Sequence, residues 1–140
     1  MTTITRDEYC AIAVADAFIG DRDILVSPIG LMPQIGARLA KLTHAPDIMM
    51  SDGQCALVAH TPAVGEKNPD YVVEGWMPYR HIFDLVWWGK RHVMMGATQI
   101  DAFGNQNISC IGDWEQPKVQ LLGMRGAPGN TINHPTSYWI

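Results

Sequence analysis

The chain is poor in charge and in cysteine. Of 140 residues, 17% are charged and three are Cys. Cys10, Cys55 and Cys110 stand far apart with no CxxC spacing, which excludes a disulfide framework or a structural zinc site built on them. The five histidines, His44, His60, His81, His92 and His134, form no HExxH or HxH pair. They read as surface or hydrogen-bonded core residues, and no metal is assigned. Ten Lys and Arg lie scattered under a net charge of −4, so no basic stripe suits nucleic acid. The uncharged stretches 24–37 and 126–140 carry Pro and Gly and fall short of the roughly 18–20 residues that span a bilayer. No basic segment followed by an apolar run opens the chain. With free Cys and eight Met, the reading is a cytoplasmic protein with no membrane partner.

What remains is a chain 47% hydrophobic, too apolar and too weakly charged to be disordered. Its size suits one domain over residues 1–140. No repeat or low-complexity tract interrupts it. Thr5-Arg6-Asp7-Glu8 has the form of a capping box, and Tyr9, Ile12, Ala13, Phe18 and Ile19 follow at helical spacing to a stop at Gly20. Ile24-Leu25-Val26 reads as a short buried strand ended by Ser27-Pro28. Pro33 opens a second helix through Ile35, Leu39 and Leu42, and Asp47–Ser51 is extended again. Tyr71-Val72-Val73 is a third strand, a helix from Pro78 carries Ile82 to Trp87, and Val93-Met94-Met95 is a fourth strand.

These apolar runs are too continuous for half-exposed antiparallel strands, and they alternate with helices. The expectation is an α/β fold with a mainly parallel sheet between helical layers. Gly104-Asn105 marks a hairpin tip between Ala97–Ile100 and Ile108–Ile111, and a last strand covers 119–122. Residues 123–135, rich in Gly, Pro and Asn, read as an irregular loop. Trp87 and Trp88 fall on the apolar side of their helix, as core or subunit interface.

Three segments have chemistry to offer. Met50-Ser51-Asp52-Gly53-Gln54 follows a buried strand, where ligands bind in open parallel sheets. Asp52 is there either a general base or nucleophile, or simply the start of an Asp-Gly turn. Gly96–Asp101 with Gly104–Asn107 places Gln99 and Asn105 among amides that either bind a ligand or satisfy their own turn. Arg125-Gly126-Ala127-Pro128-Gly129-Asn130 offers backbone amides and a cation to an oxyanion, although it matches neither Walker A nor GxGxxG. Glu74, beside Gly75 and Trp76, is a helix-start carboxylate or a site residue.

Taken together, Gly96-Ala97-Thr98-Gln99-Ile100-Asp101…Gly104-Asn105-Gln106-Asn107 resembles the signature of family I CoA-transferase β subunits. The run Gly129–His134 with Thr136–Trp139, Glu74–Pro78, Ala37–Ala40 and Ala45–Ile48 are similar to one branch. Its members open a cyclic acyl-CoA by hydrolysis in bacterial steroid ring degradation. The resemblance runs from about Thr5 to Ile140 and implies the three-layer α/β fold of that superfamily, incomplete at the carboxyl end. It implies coenzyme A as part of the substrate, with no permanently bound cofactor, and an α-subunit partner or a homo-oligomer. Asp52 and Gln54 would line the acyl site, and Glu74, Gln99, Asn105, Arg125, Gly126, Gly129 and Asn130 would bind substrate or CoA. The turns at 99–107 and 123–133 would then converge at one rim of the sheet.

Two departures shape the expected function. Where transferases of this family place a nucleophilic glutamate, this chain has Asp52-Gly53-Gln54. Asp is one methylene short, and a displacement of about 1 Å costs on the order of 10²-fold. A Gln cannot form an acyl anhydride. The expectation is therefore hydrolysis of an acyl-CoA, with the working carboxylate supplied by the α subunit. The chain is also shorter than the family's β subunits, an amino-terminal half by that resemblance. The alternatives are a truncated, inactive self-associating or scaffolding module and a true CoA transferase.

Overall fold

The computed structural model describes residues 3–53, 55–66, 70–121, 123 and 126–140. Helix α1 (Arg6–Asp16) starts as its sequence dictates. The Thr5 hydroxyl accepts from the Glu8 amide at 3.3 Å, and the Glu8 carboxylate accepts from the Thr5 amide at 2.8 Å. Strand β1 (Leu25–Pro28) leads into α2 (Leu31–Leu42), and β2 (Met50–Ser51) follows. Strands β3 (Ala56–Val58) and β4 (Val73–Trp76) precede α3 (His81–Trp87), and β5 (Arg91–Gly96) crosses the middle of the molecule.

The central sheet is parallel, ordered β1, β5 and β10 (Ser137–Trp139), and Met49 bridges in parallel to Leu25 on the far side of β1. Side chains alternate between the faces of a strand. Val26 and Met94 join Val14, Phe18, Ala37 and Ala40 in a core under α1 and α2. Leu25 and Val93, both 1% exposed, face the other way, as does Arg91, which reaches α4 (Ala127–Asn133) through Asn130. Helices thus cover both faces, as the alternating runs imply. Two antiparallel hairpins, β6 (Gln99–Ile100) with β7 (Gln106–Asn107) and β8 (Cys110–Gly112) with β9 (Pro117–Gln120), stand beyond β5. No helix among the described residues is long and apolar enough to cross a membrane.

Four expectations need correction. Ser27 and Pro28 do not end the first strand but belong to it, paired with Val93 and Met94. The third strand begins at Val73 and lies exposed and antiparallel to β3, because it pairs with the hairpin following β2 and not with the central sheet. Trp87 and Trp88 are surface residues, 75% and 76% exposed, and not core. The segment 123–135 is no loop throughout, since α4 occupies most of it. Gly126 takes φ 85 as N-cap and Pro sits in the first turn, a position where the missing N–H costs nothing. The polar side chains that suggested a loop bond back one turn instead. Asn130 donates to Gly126 O at 3.3 Å, Thr131 to Ala127 O at 3.3 Å and Asn133 to Gly129 O at 2.8 Å.

The hairpin tip lies where Gly104-Asn105 put it, with the return strand at Gln106–Asn107 ahead of the expected 108–111. The last strand, expected at 119–122, is β9, two residues earlier; Leu122 lies outside the described residues.

Candidate functional site

A cleft of about 470 Å³ opens beyond the carboxyl ends of β1 and β2, within the usual range for small-molecule sites. Its walls include Ser27, Ile29, Arg38, Ser51, Asp52 and Arg91. Asp52 follows β2, and its Oδ1 accepts the amides of Cys55 at 3.0 Å and Ala56 at 3.1 Å. Its own amide donates to Ala56 O at 3.0 Å. The carboxylate therefore both holds the Asp-Gly turn and borders the cleft, so the two sequence readings hold together. Gln54, next in line, lies outside the described residues, as does Arg125.

The cleft's cations are held rigidly. Arg38, on α2, donates from Nε to Pro62 O at 2.8 Å and from Nη1 to Gln34 O at 3.1 Å. Arg91, at the start of β5, donates from Nε to Ser27 Oγ at 3.0 Å and from Nη1 to Asn130 Oδ1 at 3.2 Å. Burial lowers both guanidiniums from their ordinary value, and only the Tyr71 and Tyr79 phenols pull them back up. Among the described residues, neither Arg enters an ion pair.

The other expected residues lie elsewhere. Asn130 is buried at 6% exposure and touches the cleft only through Arg91. Its amide N–H goes to Gly126 O at 3.2 Å, the helical bond, which withdraws it from any oxyanion. Gly126 and Gly129 belong to α4, and Glu74 is exposed on β4; none of the three borders the cleft. Gln99 accepts from Asn107 at 2.7 Å and Asn105 donates to Asp101 at 2.8 Å, both on the exposed hairpin. Those amides satisfy their own turn. Asp101, receiving Asn105 and Phe103, is held below the usual carboxylate range by these bonds, the Asn105 side chain foremost.

The expected convergence of the two turns is confined to one contact. Gly123 donates to Ile108 O at 2.7 Å. Beyond it the hairpin attaches to the carboxyl end of β5, Gln106 to Gly96 O at 3.1 Å, whereas α4 attaches to its amino end at Arg91.

Histidine spacing hides one cluster. Asp21, His92 and His134 bring ligand-type atoms within 4.8 Å of one another, the one such group among the described residues that could take a cation. His92 is 3% exposed, its Nδ1 lies 2.5 Å from Asp21 Oδ2 and its Nε2 lies 2.9 Å from Ser137 Oγ. These bonds already satisfy its ring, which fits a hydrogen-bonded core histidine. The three residues come from three distant stretches, so no local motif shows them.

No family model matches the chain. One of the two subunits of the 3-oxoadipate CoA-transferase of Pseudomonas knackmussii (strain DSM 6978 / CCUG 54928 / LMG 23759 / B13) is 35% identical over 134 residues, 91% of this chain and 51% of its own length. Glutaconate coenzyme A-transferase from Acidaminococcus fermentans superposes with a TM-score of 0.70 at 26% identity, covering 98% of this chain and 56% of that one. The chain belongs to the CoA-transferase family.

Within it, the likeness is strong to one kind of protein. The cholesterol ring-cleaving hydrolase IpdB subunit of Rhodococcus jostii (strain RHA1) is 58% identical over 140 residues, 100% of this chain and 54% of the relative. The crystal structure of Rhodococcus jostii RHA1 IpdAB superposes with a TM-score of 0.89 over 99% of this chain and 55% of that one. The chain spans about half the length of the curated relatives it matches.

Proposed function

We propose that this chain is the β-subunit component of a hydrolase that opens a ring of a steroid-derived acyl-CoA thioester. The observation that carries this reading is the 58% identity over 140 residues to a cholesterol ring-cleaving hydrolase subunit. The cleft is consistent with it. Ser51 and Asp52 stand beyond a strand end, and two fixed guanidiniums lie on its walls. Asp52, already bonded to two amides, suits orienting the rim better than attacking a thioester. A carboxylate from an α subunit would activate water. Addition of that water to a ring carbonyl breaks the neighbouring carbon–carbon bond and leaves a carboxylate, with CoA retained. Trp87 and Trp88, exposed on and beside α3, suit contact with that subunit. The site is placed in the cytoplasm, where CoA thioesters are found.

The test is co-purification with the α subunit of the Rhodococcus relative, followed by mass spectrometry with a cyclic steroid acyl-CoA in ¹⁸O-water. The expected product is the substrate plus one labelled water, CoA still attached. CoA moving to an acceptor acid, with a hydroxylamine-sensitive acyl group on Asp52, would instead establish a transferase. No turnover, with self-association alone, would establish the inactive module.

A further inference from the structure

We propose that the cleft between β1, β2 and α2 binds a small organic oxyanion, carboxylate or phosphate, between the guanidiniums of Arg38 and Arg91. This inference stands on the cleft and does not depend on the hydrolase reading.

The argument is one of unmatched charge. A buried or half-buried cation is costly unless it is paired. Both guanidiniums are half-buried in one cleft, and both meet only neutral oxygens: Pro62 O and Gln34 O for Arg38, Ser27 Oγ and Asn130 Oδ1 for Arg91. Each guanidinium has five N–H donors, and only two of its nitrogens are engaged, so a fork of donors remains on each. A planar fork suits a carboxylate or a phosphate bidentately. The bonds that are made fix the side chains, so little rotamer entropy is lost when a ligand arrives.

The cleft's carboxylates sharpen the choice. Asp52 and Glu66 also line it, but Asp52 is bonded to Cys55 and Ala56, and Glu66 accepts from the Ala63 amide at 3.2 Å. Both repel an anion from their own side. His60 and Tyr71 complete the ionisable lining. An oxyanion is therefore directed to the guanidiniums, while Val26, Met50, Val58 and Ile82 offer apolar wall to a carbon skeleton. Asn130, from α4, acts here as a positioning residue for Arg91.

Titration calorimetry of this chain at low ionic strength tests the proposal, with glutarate and inorganic phosphate as probes. One probe anion per chain is expected. Arg91→Gln and Arg38→Gln are each expected to weaken it at least tenfold, while Arg6→Gln, on exposed α1, leaves it unchanged. Should Arg38→Gln loosen the Pro62 loop and lower the melting temperature, Arg91→Lys serves instead. It keeps the charge but not the fork, and is expected to bind more weakly than the parent and more tightly than Arg91→Gln. Preference for glutarate would identify an organic acid, and preference for phosphate a phosphorylated ligand. Absence of binding by either probe, or equal binding by the Gln variants, would overturn the proposal. Loss of ring opening with anion binding intact would count against the hydrolase reading alone.

Discussion

At the scale of single residues, legibility depended on whether a side chain's role is local. Asp52 was visible because a strand followed by Asp-Gly is a short-range pattern. Arg38 and Arg91 were not, since each is one charge inside a helix or strand pattern and the cleft joins them across the fold. The same holds for His92, bonded to Asp21 and Ser137 across long sequence separations. Ser137→Ala leaves one ring nitrogen buried without a partner, and an expected cost of about 1–3 kcal/mol follows, readable as a lower urea midpoint. His134 adds a pH dependence. Burial first, then the neighbouring His92 and Lys90, lowers its pKa below 6.5 despite Asp21. Its folded form thus binds protons less readily than its unfolded form, so this contribution to stability is full above about pH 6.5 and shrinks as pH falls below it. Urea titrations at pH 7 and pH 5.5 should show the loss, and His134→Gln should make it smaller.

At the scale of elements, the helices with local signals were legible and the one without them was not. The Thr5–Glu8 box marks α1, and Thr5→Ala should destabilise by about 1 kcal/mol in a thermal melt. Helix α4 escaped notice because Gly, Pro, Asn and Thr favour turns when judged one by one. Here they close the helix with their own side chains while Arg91 holds Asn130 from outside. The contact of α1 with α2 depends on Gly36, where an added Cβ would meet the Val14 side chain and, at 3.0 Å, the Ala11 carbonyl. Gly36→Ala gains at most about 1 kcal/mol of helix propensity and suffers about 1–3 kcal/mol of overpacking. Net destabilisation in urea is the expected outcome.

At the scale of the whole molecule, the parallel sheet was legible from runs such as Ile24–Val26 and Val93–Met95, because strands buried on both faces need not alternate. The separation of the 99–107 and 123–133 segments along β5 was not, since motif proximity in sequence says nothing about which end of a strand each one reaches. On the proposed reading, Trp87→Glu and Trp88→Glu together leave the isolated chain's melting temperature nearly unchanged, as exposed sites do, yet abolish co-purification with the α subunit. Retention of the complex would move the contact to another surface.

The order of the central sheet has a consequence for synthesis. Its three strands come from residues 25–28, 91–96 and 137–139, so every neighbour pair joins distant stretches of chain. On the ribosome β1 waits, apolar and unpaired, until β5 has left the exit tunnel, and β5 in turn waits for β10. Such non-local pairing folds slowly and leaves strand edges open to other nascent chains, so the yield of native protein should depend on chaperones and on the speed of translation.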